Sequence, residues 1–463
     1  MTADMRLFIQ EIHKNLGGLF APQRSISIAR VPGRIDIIGG HCVTCGGTIV
    51  QTQVAEGIIV AVQRRMDQRI LIRNLNMIRE RVITLEFRLE DIQRAAQERD
   101  WAKFQNVFTA ADKGWSGHIC GALGLLMTGH SPVHGWTGFN IAISTSLPAG
   151  AGLASSAALQ TGLLLALRDV VKLPLETAQI ATLAAASETE VMHRPAHAAE
   201  YISILHGQKE NLIVVQAPGE DSFQFIPLPD GIRCVAVDLG IRKQADRQKQ
   251  EEFQTALHIG HALQGEMLRS DGGANGPAMA WTGISVRDWQ SRYKKRMPYR
   301  MTGQEFLQKN ISTEQAGIDI DPQKKYMPRS ATEFMIEDNE RAREFVALCK
   351  EAAGDAGSPL WIDAGQLLFV SHERFIKTSA TVCEESAWLM DELRAGGPER
   401  GIFGARAMAG GGCTVGILAT AHSNDVLQNL LSRYQDRFDR PASLLTGSSA
   451  GALVGGIVTT AFA

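Results

Sequence analysis

The stretch Leu147-Pro-Ala-Gly-Ala-Gly-Leu-Ala-Ser-Ser-Ala-Ala158 constrains this chain more than any other. Two glycines make a turn, and the Ala/Leu-rich run that follows, from Ser155 to about Val171, reads as a helix. The first N–H groups of a helix lack internal partners and, together with the helix dipole, attract anions. Gly150 and Gly152 let the backbone approach a phosphate with no Cβ in the way. Ser155 and Ser156 add hydroxyls that can donate to a phosphate or ligate Mg2+. A serine-capped helix after a tight turn is the plainer reading, but the Gly-x-Gly-x-x-Ser-Ser-Ala-Ala order favours phosphate. It is not a Walker loop, because no Gly-Lys-Ser/Thr is present.

Composition allows a large core around that turn. The chain has 463 residues, 44% hydrophobic and 21% charged, enough for two domains or one large one. A formal net charge of -2 gives no bulk attraction to nucleic acid or to an anionic membrane, so an anionic ligand must be held by local geometry. The opening MTADMRLFIQEIHKNL lacks the basic-then-apolar order of a signal peptide, and no charge-free run is long enough to span a bilayer. A cytoplasmic protein without membrane or nucleic-acid partners is expected. Seven scattered cysteines fit free thiols in a reducing compartment. The lone Cys42-x-x-Cys45 pair reads as two small thiols on a loop rather than a metal site.

The order of elements predicts α+β. Residues 1–20 have helical spacing. Ser25–Val31 alternates as a strand and then meets a Pro-Gly turn. Strands are expected over 57–64, 68–73, 135–144, 211–215 and 233–238, and helices over 175–190 and 379–394. Residues 271–277 read as a loop, and 405–419 as a turn between strands. Ala450–Ala463 reads as a buried C-terminal strand, and the basic run Tyr293–Arg300 as solvated surface. Turn residues cluster between Pro218 and Gly231, which suggests a division into 1–225 and 226–463.

Three ordered segments carry a resemblance. The Leu147–Ala158 turn resembles the central motif of the GHMP kinases, the superfamily of galactokinase, homoserine kinase, mevalonate kinase and phosphomevalonate kinase. Val31-Pro-Gly-Arg-Ile-Asp-Ile-Ile-Gly-Gly-His41 resembles their first motif, and is nearer still to the arabinokinase form. Gly404-Ala-Arg-Ala-Met-Ala-Gly-Gly-Gly-Cys-Thr-Val415 resembles the third. Ser371-His372 and Cys383-Glu384-Glu385 are similar to galactokinase segments, and Tyr293–Asn310 and Gly447–Ala452 to arabinokinase ones. The resemblance implies a two-domain α+β fold with the active site between the domains, ATP and Mg2+ as cofactors, and a small sugar as substrate. The implied reaction is phosphorylation of a sugar hydroxyl, at the anomeric position; the alternative is an inactive relative that binds nucleotide or regulates.

The same resemblance assigns residues. Arg34 is implied at the reacting phosphoryl group. Pro148, Gly150, Gly152, Leu153, Ala154, Ser155, Ser156 and Ala157 are implied in nucleotide binding. Ser156 and Glu188 are implied as Mg2+ ligands, with a solvated helix glutamate the other reading of Glu188. The catalytic aspartate of the family falls on Glu200 without gaps, and on Ala199 if Tyr-Ile-Ser is aligned with Phe-Ile-Ser. On the acceptor side the resemblance implies Asp36, Gly40, His41, Val43, Gly411 and Gly412. Val43 stands where relatives carry an aspartate that holds sugar hydroxyls, and Gly40 where galactokinase has a glutamate. His41 either replaces that lost partner or faces solvent. The third motif is two or three residues short, with Gly412 running directly into Cys413.

Overall fold

Strand β1 (Ser25–Ile38) runs straight through the Pro32-Gly33 pair at which the sequence predicts a turn. It pairs antiparallel with β2 (Ile49–Arg64), and the register shifts between Pro32 and Arg34 and again between Asp36 and Ile38. A proline cannot donate to a ladder and is tolerated at such an irregularity. A bulge also re-aims the next side chain, which here is Arg34. Gly57, opposite Pro32, lets the strands close up; a Cβ there would lie 2.7 Å from Val31 O.

The computed structural model describes every residue except 1, 16–17, 77–83, 110–113, 195, 217–222, 243–246, 273–283, 312–319, 380–382, 409–413 and 462–463. The first sheet continues with β3 (Arg69–Asn74), β4 (Leu85–Arg88), β5 (Phe139–Thr145), β6 (Asn211–Val215) and β7 (Phe223–Pro227). A second sheet is built from β8 (Ile232–Asp238), β11 (Ile402–Ala407), β12 (Thr414–Thr420) and β13 (Ser443–Leu445). A small ribbon joins β9 (Met301–Thr302) to β10 (Lys325–Tyr326). The C-terminal β14 (Ile457–Ala461) returns to the first sheet, whose order is β14-β1-β2-β5-β3-β4 with β6 on β2 and β7 on β6. The second sheet runs β11-β12-β8-β13. One expectation is corrected here: β14 is an edge strand, half-buried at Ile457 and Val458 and exposed at Thr459–Ala461, so it is not a buried strand.

Helices α1 (Ala3–Asn15), α2 (Leu89–Glu98), α3 (Trp101–Phe108), α4 (Trp115–Gly129), α5 (Ser155–Val171), α6 (Thr177–Ala186) and α7 (Ala198–His206) accompany the first sheet. Helix α5 lies across β1 and β2. Its Leu159, Leu163, Leu164, Leu165 and Leu167 are buried, each contributing about 1.5–3 kcal/mol over an exposed side chain. Helices α8 (Arg247–Ser270), α9 (Val286–Asp288), α10 (Gly303–Leu307), α11 (Pro328–Ala352), α12 (Leu360–Ser379), α13 (Glu384–Gly396) and α14 (Asn424–Phe438) follow. Helix α12 meets β11 backbone to backbone, where a Cβ on Gly404 would collide with Gly365. The expected helix 379–394 is observed as α13, with Ser379 closing α12 and 380–382 outside the described residues.

The largest apolar cluster joins β1, β2 and α4–α6 to β8, α11 and α12, so both sheets share one core. A second cluster lies among α8, α11 and the segment around Trp289. In the basic run, Tyr293 and Met297 are buried in that cluster while Arg292 and Arg296 lie over the Tyr293 ring. Among the described residues, no helix is long and apolar enough to cross a membrane.

Candidate active site

Three segments singled out in the sequence meet at one place. The backbone N–H of Arg34 donates to Leu153 O at 3.2 Å, tying β1 to the glycine turn. Thr414 Oγ1 donates to Ala151 O at 2.5 Å, tying β12 to the same turn. Gly33 is wedged beneath it; a Cβ would press on Leu147 and stand 2.9 Å from Leu153 O.

The turn itself is shaped for an anion. Gly150 and Gly152 have φ of 71° and 83°, a region that favours glycine. Ala154, at the N-cap of α5, is also left-handed at φ 62°, a strained conformation for alanine. No side chain caps α5, so its first N–H groups stay open to a ligand. Pro148, Gly152, Ala154, Ser155 and Ser156 are half-buried, Gly150 is exposed, and Leu153 and Ala157 anchor the turn in the core. Beyond the turn, Arg242 forms a bidentate pair with the buried Asp238, both contacts at 2.7 Å, and its Cδ lies next to Gly150. Arg242 belongs to none of the sequence motifs.

Arg34 and Glu200 face each other. Arg34 Nη2 donates to Glu200 Oε1 at 2.7 Å, and Arg34 Nε to Asp36 Oδ1 at 3.3 Å. Glu200 Oε2 accepts from the His197 N–H at 3.0 Å, which fixes the carboxylate at the first turn of α7. Burial pushes the Glu200 carboxyl above its ordinary value; Arg34 opposes this, and Asp36 and Glu188 add to the rise. The Arg34 guanidinium is buried, yet Asp36 and Glu200 hold it charged. Ala199, the alternative position for the catalytic carboxylate, is buried in an apolar cluster with Val43, Ile202, Ile213 and Val215.

Glu188 sits on a π-helical turn, Ser187–Val191, that continues α6. Such turns shift the helical register and often occur at functional sites. Here the shift points Glu188 at α5 and buries it, which excludes the solvated reading. Ser156 Oγ donates to its Oε1 at 3.2 Å and Gln160 Nε2 to its Oε2 at 2.6 Å. Among the described residues, no three of His, Cys, Asp and Glu group as a metal cage. Mg2+ does not need one: it takes one or two carboxylates, phosphate oxygens and water, with neighbouring oxygens about 2.9 Å apart. Ser156 Oγ and Glu188 Oε1 are hard oxygens at 3.2 Å and fit two adjacent positions of that shell.

On the acceptor side, the solvent-facing reading of His41 is overturned. Asp36 is buried and accepts from both Arg34 and Gln51 Nε2, so its Oδ1 is already engaged. Gly40 begins a 3-10 turn, Gly40–Cys45, after Gly39 at φ 81°. Val43 packs into the cluster beneath α7 and offers no polar atom. His41 does not face solvent: its ring stacks on Phe375 at 4.5 Å and meets Phe253 and Phe334 edge-on. Burial, with Arg406 nearby, pushes its pKa down to about 3. Arg406 is itself buried, with Asp338 Oδ2 at 3.3 Å. Gly411, Gly412 and the shortened third-motif loop lie outside the described residues, as does Pro195.

The fold and parts of the sequence are similar to those of known proteins. Residues 118–208 match the GHMP kinases N terminal domain, and residues 19–64 the galactokinase galactose-binding signature. The solved galactokinase of Lactococcus lactis, complexed with galactose, superposes with a TM-score of 0.72. It covers 97% of this chain and 99% of its own, at 16% identity. The mevalonate kinase of Methanococcus jannaschii superposes at 0.53, over 91% of this chain and 98% of its own, also at 16% identity. The fold is thus similar to that of these kinases, and residues 118–208 match their N-terminal domain. In sequence the chain is similar to the L-arabinokinase of Arabidopsis thaliana, at 21% identity over 95% of this chain, and to the galactokinase of Thermotoga maritima, at 23% over 88%. The alignment takes in 94% of the galactokinase but 47% of the arabinokinase, so the chain spans about half the length of that relative.

Proposed function

We propose that this chain is a sugar kinase that moves the γ-phosphoryl group of ATP onto a sugar hydroxyl, at the anomeric position. The observation that carries the reading is the Arg34–Glu200 pair, 2.7 Å apart, with the Arg34 backbone N–H bonded directly to Leu153 O of the glycine turn. Similarity to galactokinases and an arabinokinase supports the substrate class.

The open N-terminus of α5 and Gly150–Ser156 hold the phosphates by backbone N–H groups. Mg2+ bound by Ser156 and Glu188 would neutralise charge on the phosphate oxygens. Arg34 stabilises the transferring group, its charge maintained by Asp36 and Glu200. Glu200 accepts the acceptor hydroxyl's proton or orients that hydroxyl, and its raised pKa brings it nearer the basicity a general base needs. The acceptor site is altered relative to galactokinase, because Val43 gives a sugar hydroxyl no partner. Calorimetric titration with ATP, with and without Mg2+, tests the nucleotide half of this reading. Mg2+-dependent binding is expected; no binding at millimolar ATP would remove it.

A further inference from the structure

Glu188 is gripped at both oxygens from one face of one helix. Ser156 and Gln160 are four residues apart, one helical turn, and each donates to a different oxygen of the carboxylate. Gln160 is fully buried. Its Nε2 also lies 2.9 Å from His118 Nδ1 on α4, and that ring nitrogen is 3.4 Å from Glu188 Oε2. The two amide hydrogens thus serve one carboxylate oxygen and one ring nitrogen, which makes Nδ1 the bare nitrogen of His118. The reversed amide would set Gln160 Oε1 against Glu188 Oε2, acceptor against acceptor. The observed orientation leaves Gln160 Oε1 buried with no hydrogen-bond partner. A purely apolar residue would avoid that loss, so the N–H groups are what the site uses.

We propose that Gln160, held by His118, is a positioning residue that orients Glu188 for a divalent cation. The inference rests on the phosphotransfer reading of the same site. Carboxylates that bind metals are commonly fixed by such hydrogen-bonding partners, whose loss weakens metal binding about 10–100-fold.

The test reads metal binding, not turnover. Protein saturated with ADP is titrated with Mn2+, and free Mn2+ is followed by electron paramagnetic resonance. Gln160→Met keeps the volume and removes both N–H groups; its Mn2+ affinity is expected to fall about 10–100-fold while metal-free ADP binding holds. His118→Phe follows it, whereas His118→Asn, which keeps an acceptor near the Nδ1 position, stays close to the unaltered protein. Circular dichroism checks folding, and if Gln160→Met does not fold, the His118 pair decides. Unchanged Mn2+ affinity in Gln160→Met, or equal affinity in His118→Phe and His118→Asn, overturns the inference alone. Failure of the unaltered protein to bind Mn2+ with ADP overturns the phosphotransfer reading and this inference with it.

Discussion

Arg34 Nη2 lies 2.7 Å from Glu200 Oε1, and the same guanidinium reaches Asp36 through Nε. One arginine on β1 therefore joins an aspartate beside it, already engaged through Oδ1, to a carboxylate presented by α7. If Glu200 is the acceptor of the proton, Glu200→Gln keeps the shape and loses the base. Turnover is expected to drop about 10²–10⁴-fold with ATP binding unchanged in a calorimetric titration. Loss of ATP binding instead would make Glu200 a structural partner of Arg34.

The pH profile carries the same assignment. The Glu200 carboxyl titrates above its ordinary value of 4.5, and a base must be deprotonated to work. The rate constant kcat/KM is expected to fall as pH drops through that raised value, and the limb is expected to vanish from the residual activity of Glu200→Gln.

Acid is expected to destabilise the fold well before the carboxylates protonate. His41 and His372 are buried, and burial lowers their pKa from 6.5 to about 3 and about 4. Below pH 6.5 the unfolded chain takes up protons that the folded chain refuses, so stability falls by at most about 1.4 kcal/mol per pH unit for each histidine. Glu200 acts in the opposite sense: its raised pKa favours the folded state below 4.5, an advantage lost as pH rises through the folded value. Urea midpoints from neutral pH down to about pH 5 read the balance, and His41→Phe is expected to flatten the slope.

Gly33 tests whether the glycine turn is held by contact with β1. Gly33→Ala would push Leu147 and the Leu153 carbonyl away from the strand. A loss of about 1–3 kcal/mol in urea unfolding is expected, together with weaker ATP binding. Unchanged ATP affinity would mean the turn keeps its shape without that contact.

Val43 tests the acceptor side. Val43→Asp, which would put back the hydroxyl-binding carboxylate, instead buries an unpaired charge among Ile49, Ala199 and Ile202. A loss on the order of 3–5 kcal/mol in unfolding free energy is expected. A stable variant that gains affinity for a sugar would show that the 3-10 turn can swing this side chain into the site.

Much of the site was legible because its chemistry is local in sequence. The glycine turn and the helix after it could be read from twelve consecutive residues, and α5 begins and ends where its Ala/Leu pattern does. Residues that depend on tertiary packing were not legible. Pro32-Gly33 signals a turn locally, but pairing with β2 keeps β1 extended and absorbs the proline at a register shift. His41 reads as a loop histidine until Phe253, Phe334 and Phe375 arrive from α8, α11 and α12. Helices α11 and α12 were not anticipated, although Pro328 at the first turn of α11 is a start signal. Gln160 could have been noticed from its four-residue spacing to Ser156, but His118 reaches it from 42 positions away.

Phosphotransfer to a sugar is the reaction proposed for this site. Its most direct measurement is ADP release from ATP and Mg2+ with a panel of free pentoses and hexoses, with Glu200→Gln run alongside. Sugar-dependent ADP release and a matching sugar phosphate are expected from the unaltered protein, and both about 10²–10⁴-fold slower from Glu200→Gln. ATP binding without ADP release for any sugar would contradict it, and would make the chain a nucleotide-binding relative of the sugar kinases that does no chemistry.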